Sequence, residues 1–192
     1  MHDELDPELA RAYRLELGGK LEEAAALFEA WAESHPDEDT PQAAPFVKHL
    51  GNLHFRLGHL RRARSYLARA VTLDPRNAAA WHDLGVVEYH AADFDAALSA
   101  LRRVLEIDPG HHLTEFWLGQ ALYHRGDLEG ATRAFERLLE ANPGFRIARF
   151  HLGVLYARRG NRVRAEAEFA RVLEESPEDA AARYYVSGGS PG

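Results

Sequence analysis

Three histidines stand five residues apart in the stretch HLGNLHFRLGHL, at His49, His54 and His59. Imidazoles ligate zinc and similar ions, and two on one helical face need a spacing of three or four residues. Five residues turn a helix through about 500°, which sets neighbours roughly 140° apart. The spacing argues against a shared metal ion. His111 and His112 are adjacent, so their side chains project in different directions and read as a loop pair. The chain has no cysteine, which removes disulfides, thiolate ligands and cysteine nucleophiles. It holds no P-loop and no G-x-G-x-x-G, and Ser187-Gly-Gly-Ser resembles a phosphate loop in composition only. No catalytic role, cofactor or metal is expected.

Charge narrows the partners. The net charge of the 192 residues is −7, but residues 1–43 hold 12 acidic and 3 basic side chains while the remainder is close to balanced. An acidic protein is a poor candidate for nonspecific nucleic-acid binding. The opening Met1-His-Asp-Glu-Leu-Asp is unlike a secretion signal, and no apolar run reaches the ~18 residues of a membrane span. A cytoplasmic protein with no membrane or nucleic-acid partner is the expectation.

The elements that must position any site come from an internal repeat. Gly51, Gly85, Gly119 and Gly153 recur every 34 residues, each after a leucine. Alanines follow 12 residues later (Ala63, Ala97, Ala131, Ala165), and prolines 12 further on (Pro75, Pro109, Pro143, Pro177). A glycine inside a helix costs ~1 kcal/mol relative to alanine. Close approach of two helix axes can offset that, and Gly85 opposite Ala97 reads as such a pair in an antiparallel hairpin. Gly58, Gly126 and Gly160 fall where the first helix must reverse. Asp93, Asp127 and Asn161 follow as N-caps, and His59 holds the same place in its copy. Each proline stops a second helix, because the residue before it avoids the α region.

These residues resemble the tetratricopeptide repeat, W-x2-L-G-x2-Y, then A-x3-F, then P. Trp81-x2-Leu84-Gly85 matches the opening, Leu152-Gly153-x2-Tyr156 the middle, and Ala131-x3-Phe135 with Pro143 the close. The resemblance implies an all-α fold, a right-handed solenoid of antiparallel helical hairpins, forming one array over 1–187. Complete copies run 44–77, 78–111, 112–145 and 146–179. A degenerate copy runs 5–38, with Gly19, Leu21, Ala24, Phe28 and Pro36 retained but Arg11-Ala12 in place of Leu-Gly. Residues 39–43 are an insertion, with Thr40 expected to cap and Pro41 to sit at N1. Residues 180–187 start a further first helix, expected to dock on Phe169, Val172 and Leu173, and 188–192 form a tail. Ala92 replaces the turn glycine, and Arg162 stands where an apolar residue is usual. His54 occupies an inward position and is expected in the core.

The resemblance also implies a concave face lined by first helices, with equivalent positions repeating across it. The fifth residue of each copy is Lys48, His82, Phe116, Phe150, and the ninth Asn52, Val86, Gln120, Val154. The twelfth is Phe55, Tyr89, Tyr123, Ala157, and the thirteenth Arg56, His90, His124, Arg158. The aromatic series serves either packing between neighbouring first helices or a ligand. The basic series is either a solvated edge or a cationic strip suited to a peptide that alternates apolar and acidic groups. Some modules of this family clamp a C-terminal carboxylate. Lys48 and Asn52 match the opening Lys-x3-Asn of that clamp, whereas Val86, Phe116 and Gln120 depart from its continuation. The expected function is a non-catalytic scaffold holding a partner protein or peptide in the groove. The alternative is a self-assembling array that homo-oligomerises through its ends or groove.

Overall fold

The computed structural model describes residues 6–35 and 40–189. Among these there are eleven α-helices and one short 3-10 turn, with no strand. No helix is long and apolar enough to cross a membrane among the described residues. The chain divides into two compact units, residues 1–93 and 94–192.

The first unit holds α1 (Pro7–Leu17), α2 (Leu21–Ser34), the 3-10 turn Pro41–Ala43, α3 (Ala44–Arg56), α4 (Leu60–Leu73) and α5 (Ala78–His90). The second holds α6 (Phe94–Ile107), α7 (Leu113–His124), α8 (Leu128–Ala141), α9 (Arg146–Arg158), α10 (Arg162–Glu175) and α11 (Ala180–Val186). Within each unit consecutive helices pack on one another: α1 on α2, α3 on α4, α7 on α8, α9 on α10. Hairpins then join through α2 on α3, α4 on α5, α6 on α7, α8 on α9 and α10 on α11.

Local chemistry sets the helix ends where the repeat predicts. Asp127 Oδ1 accepts from the Gly130 amide at 2.8 Å, and Asn161 Oδ1 from Arg164 at 3.2 Å. Each side chain satisfies one amide that the helix start leaves over. His59 stands at the α4 N-cap, but its side chain makes no capping bond. The first helices reverse through residues with positive φ, such as Gly126 at +86°, and Ala92 adopts +60° in the place of a glycine. Thr40 does not cap α3. Residues 41–43 form their own turn, the Thr40 carbonyl accepts from the Ala43 amide at 2.9 Å, and α3 begins at Ala44 without a side-chain cap. Pro36, which closes the degenerate copy, lies outside the described residues.

At Gly51, Gly119 and Gly153 the missing side chain makes room for a large neighbour. A Cβ on Gly119 would lie 2.7 Å from the Phe135 ring, one on Gly153 2.8 Å from Phe169, and one on Gly51 2.6 Å from Leu67 Cγ. Phe28, Leu67, Leu101, Phe135 and Phe169 share one repeat position and are all fully buried. The glycine thus opens a socket for the bulky residue four places after the alanine, and Ala63, Ala131 and Ala165 are buried beside it.

Candidate functional site

Burial across the first helices follows repeat position. In all four copies the fifth, ninth and twelfth residues are half-buried and the thirteenth is exposed. Within each unit these side chains lie partly accessible on the first helices, and what each does depends on its neighbours.

In the first unit the cations of this band meet internal carboxylates. Lys48 Nζ donates to Asp83 Oδ2 at 3.1 Å and Asn52 Nδ2 donates to the same oxygen at 2.8 Å. The Lys-x3-Asn pair does hold a carboxylate, one supplied by α5. Burial alone would raise the Asp83 pKa, but hydrogen bonds from His82, Asn52 and Lys48 outweigh it and hold it below the usual value. Arg56 pairs with Glu16, which also binds His49 Nε2 at 2.8 Å. His90 packs on Phe55 at 5.2 Å between ring centroids and edge-on against Tyr89. Val86 lies half-buried in the same band.

The second unit differs. Phe116 sits among Phe135, Phe145 and His151. Phe150 contacts Phe169 at 5.5 Å and Tyr185 at 6.1 Å. Arg158 lies over the Tyr123 ring at 5.1 Å, a cation–π arrangement. His124 stacks on Phe94 at 5.1 Å with 9° between planes. Gln120 Nε2 approaches His151 Nε2 at 3.4 Å, and His151 stacks on Phe135. Val154 is half-buried in the same band. Burial, and then the charge of His124, lower the His151 pKa. Burial raises that of Tyr185, whose surroundings include Tyr123 and Arg158.

Three participants, Glu16, Asp83 and His151, were missed by reading the fifth, ninth, twelfth and thirteenth positions. Asp83 and His151 share the sixth position with His49 and Trp117, and that series was the available signal. Asp83 lies 35 residues after Lys48 and 31 after Asn52, one repeat displaced by a residue forward or by nearly a turn back.

The opening histidines diverge. His49 meets Glu16 of α1, His54 meets Glu29 of α2 at 3.0 Å, and His59 meets Glu22 at 3.6 Å. Only His54 and His59 approach each other, at 3.4 Å between Nδ1 atoms. No group of three His, Asp or Glu side chains suited to a metal ion occurs among the described residues. His54 is 1% exposed, stacked flat on Tyr66, and sits in the core as its repeat position predicts. His111 and His112 lie in the loop before α7, where His111 Nδ1 is 2.7 Å from the Thr114 hydroxyl.

The family model of the tetratricopeptide repeat matches residues 49–112 and 116–180. No curated protein matches the sequence. Among solved structures, MamA (41-end) from Desulfovibrio magneticus RS-1 is 22% identical with a TM-score of 0.81, over 92% of this chain and 100% of that one. YrrB, described as a TPR protein with an unusual peptide-binding site, is 24% identical with a TM-score of 0.78, over 94% and 91%. A tetratricopeptide repeat protein from Parabacteroides merdae ATCC 43184 is 20% identical with a TM-score of 0.83, over 94% and 70%. Likeness at these identities shows the fold, an all-α solenoid of helical hairpins.

Proposed function

The chain belongs to the tetratricopeptide repeat family, and from that premise we propose that it is a non-catalytic cytoplasmic scaffold that holds a partner segment against the first helices of its hairpins. We treat residues 1–187 as one array, because the 34-residue register runs unbroken from 44 to 179. The observation that carries the reading is the graded band: half-buried fifth, ninth and twelfth residues beside an exposed thirteenth, in four copies. A core needs no such strip of partly accessible aromatic and basic groups, whereas an extended or helical ligand can lie along one. YrrB supports the reading by analogy, its own description naming a peptide-binding site.

The test is paired affinity capture, with wild type and a Tyr89→Glu/Tyr123→Glu variant as baits. Both tyrosines belong to the band and lie outside the fully buried core, so the variant should keep its helical content. A partner recovered by wild type and lost on the variant bears the proposal out. The same partners on both baits would overturn it.

A second reading, self-assembly through the end of the array, is favoured by one observation. Val163 is 79% exposed, Tyr184 55% and Val186 42%, all within α10 and α11. Light scattering separates the two readings. A mass of 21.5 kDa at all concentrations supports the scaffold acting alone, and multiples lost on Tyr184→Ser/Val186→Ser support self-assembly.

A further inference from the structure

We infer that the end of the second unit holds a binding site for a single aromatic ring carrying a hydroxyl, in the cavity bordered by α9, α10 and the point where the chain leaves α11. The site goes beyond the scaffold reading and stands without it. The cavity measures about 140 Å³. Its floor is the Phe169 ring and the Ala165 methyl, both buried, and Tyr185 forms one wall, stacked on Phe169 at 4.5 Å. Ala157 lines it from α9, and Gly188 and Gly189 border it beyond α11. Arg162 and Glu166, paired at 2.6 Å with side chains 74% and 44% exposed, stand at its mouth.

The repeat register identifies what the cavity lacks. The twelfth residue is Phe55, Tyr89 and Tyr123 in three copies and Ala157 in the fourth. The seventeenth is Leu60, Phe94 and Leu128, and then Arg162. Helix α9 runs for 13 residues, and its Val154 is half-buried and its Leu155 buried. Helix α11 stops after 7, and the chain turns off through Gly188 with φ +99°. Gly188 and Gly189 thus stand at the register positions of Val154 and Leu155. Four side chains that are apolar in the preceding junction are small or charged in this one, and the space they leave is the cavity. Its size suits one ring, since an engineered apolar cavity of ~150 Å³ takes up benzene. Aromatic groups favour aromatic walls in offset or edge-on contact, which Phe169 and Tyr185 supply. The side chain missing at the twelfth position is itself aromatic, so the ligand's ring replaces the one that the other copies carry. The Glu166 carboxylate, engaged by Arg162 through Oε1, accepts the ring's hydroxyl through its other oxygen. Such a ring reaches the site as a free molecule or as a partner's tyrosine side chain.

The probes are p-cresol and N-acetyltyrosinamide, which carry the same ring free and attached to a backbone, titrated into the full chain with labelled alanine methyls. p-Cresol should shift the Ala157 and Ala165 resonances saturably, with a Kd on the order of 1 mM for so small a ligand. Ala134, buried in α8, should not move. Cyclohexanol, similar in size but not aromatic, should bind about threefold more weakly, and equal binding would overturn the aromatic preference. Ala157→Tyr supplies the ring from within, so it should raise the melting temperature and abolish the saturable shift at Ala165. Ala157→Val fills less of the space and should weaken p-cresol without abolishing its binding, which keeps the test decisive if the tyrosine variant misfolds. Shifts from both probes assign the site to a partner's tyrosine as well as a free molecule, and shifts from p-cresol alone assign it to a free molecule. No saturable shift on the wild type, or an undiminished shift on folded Ala157→Tyr, overturns the inference and leaves the scaffold reading to the capture experiment.

Discussion

His54 lies at the centre of a small polar cluster, with Glu29 on its Nε2 and the Tyr66 hydroxyl donating to the same carboxylate oxygen at 3.2 Å. Burial is the largest influence on the imidazole and lowers its pKa, while Glu29 works against the shift and Arg62 and His59 add to it. The unfolded chain, with a value near 6.5, then binds the proton more readily than the folded one. The stabilising contribution is complete above that pH and is lost as pH falls through it toward the folded value. The melting temperature should fall between pH 7.5 and 5.5, and His54→Gln should flatten part of that slope; an unchanged slope would show that His54 does not titrate in this range. Ala92 offers a second test at this scale. A left-handed φ of +60° costs an L-residue about 1–2 kcal/mol, partly offset by the greater entropy of glycine when unfolded. Ala92→Gly should therefore stabilise the protein by about 0.5–1 kcal/mol in denaturant unfolding, and a loss of stability would contradict the strain argument. The core role of His54 was legible in its repeat position. The capture of Lys48 and Asn52 by Asp83 was not, because it depends on how far α5 is displaced along α3, which spacing within one helix does not encode.

Helical hairpins with turns at Gly58, Gly126 and Gly160 were legible because glycine, alanine and proline mark three separate events in every copy. What the glycine faces was not. A missing side chain signals close approach but does not say which residue fills the space, and in these hairpins it is the Phe135, Phe169 or Leu67 side chain. Phe135 is 1% exposed and has little room to withdraw. Gly119→Ala should cost about 1–3 kcal/mol, the range for overpacking, measured by denaturant unfolding; an unchanged midpoint would mean that the ring moves freely. The last helix illustrates another element-level dependence. Seven residues are too few for a helix in isolation, but Tyr185 stacks on Phe169 at 4.5 Å with 6° between planes, and Ala182 is buried. Removing residues 180–192 should expose Phe169, lower the melting temperature and increase aggregation. A truncated chain with the same melting curve and solubility would leave α11 as an appendage.

At the scale of the whole molecule, a chain of net charge −7 keeps its acidic groups largely off the first helices of its second unit. That segregation was half visible beforehand. The thirteenth-position series contains no acid, but the sequence does not reveal which cations are already paired within the fold. Arg56 belongs to Glu16 and Arg158 lies over Tyr123, so equivalent positions meet different neighbours. The central claim is that a partner segment lies against the first helices, and hydrogen exchange on the chain bound to its captured partner tests it most directly. The account predicts slowed exchange in the first helices α3, α5, α7 and α9, with the second helices α8 and α10 unchanged. Slowed exchange confined to α8 and α10, or to α10 and α11 where Val163 and Tyr184 are exposed, would contradict it and move the interaction to the outer helices or the end of the array.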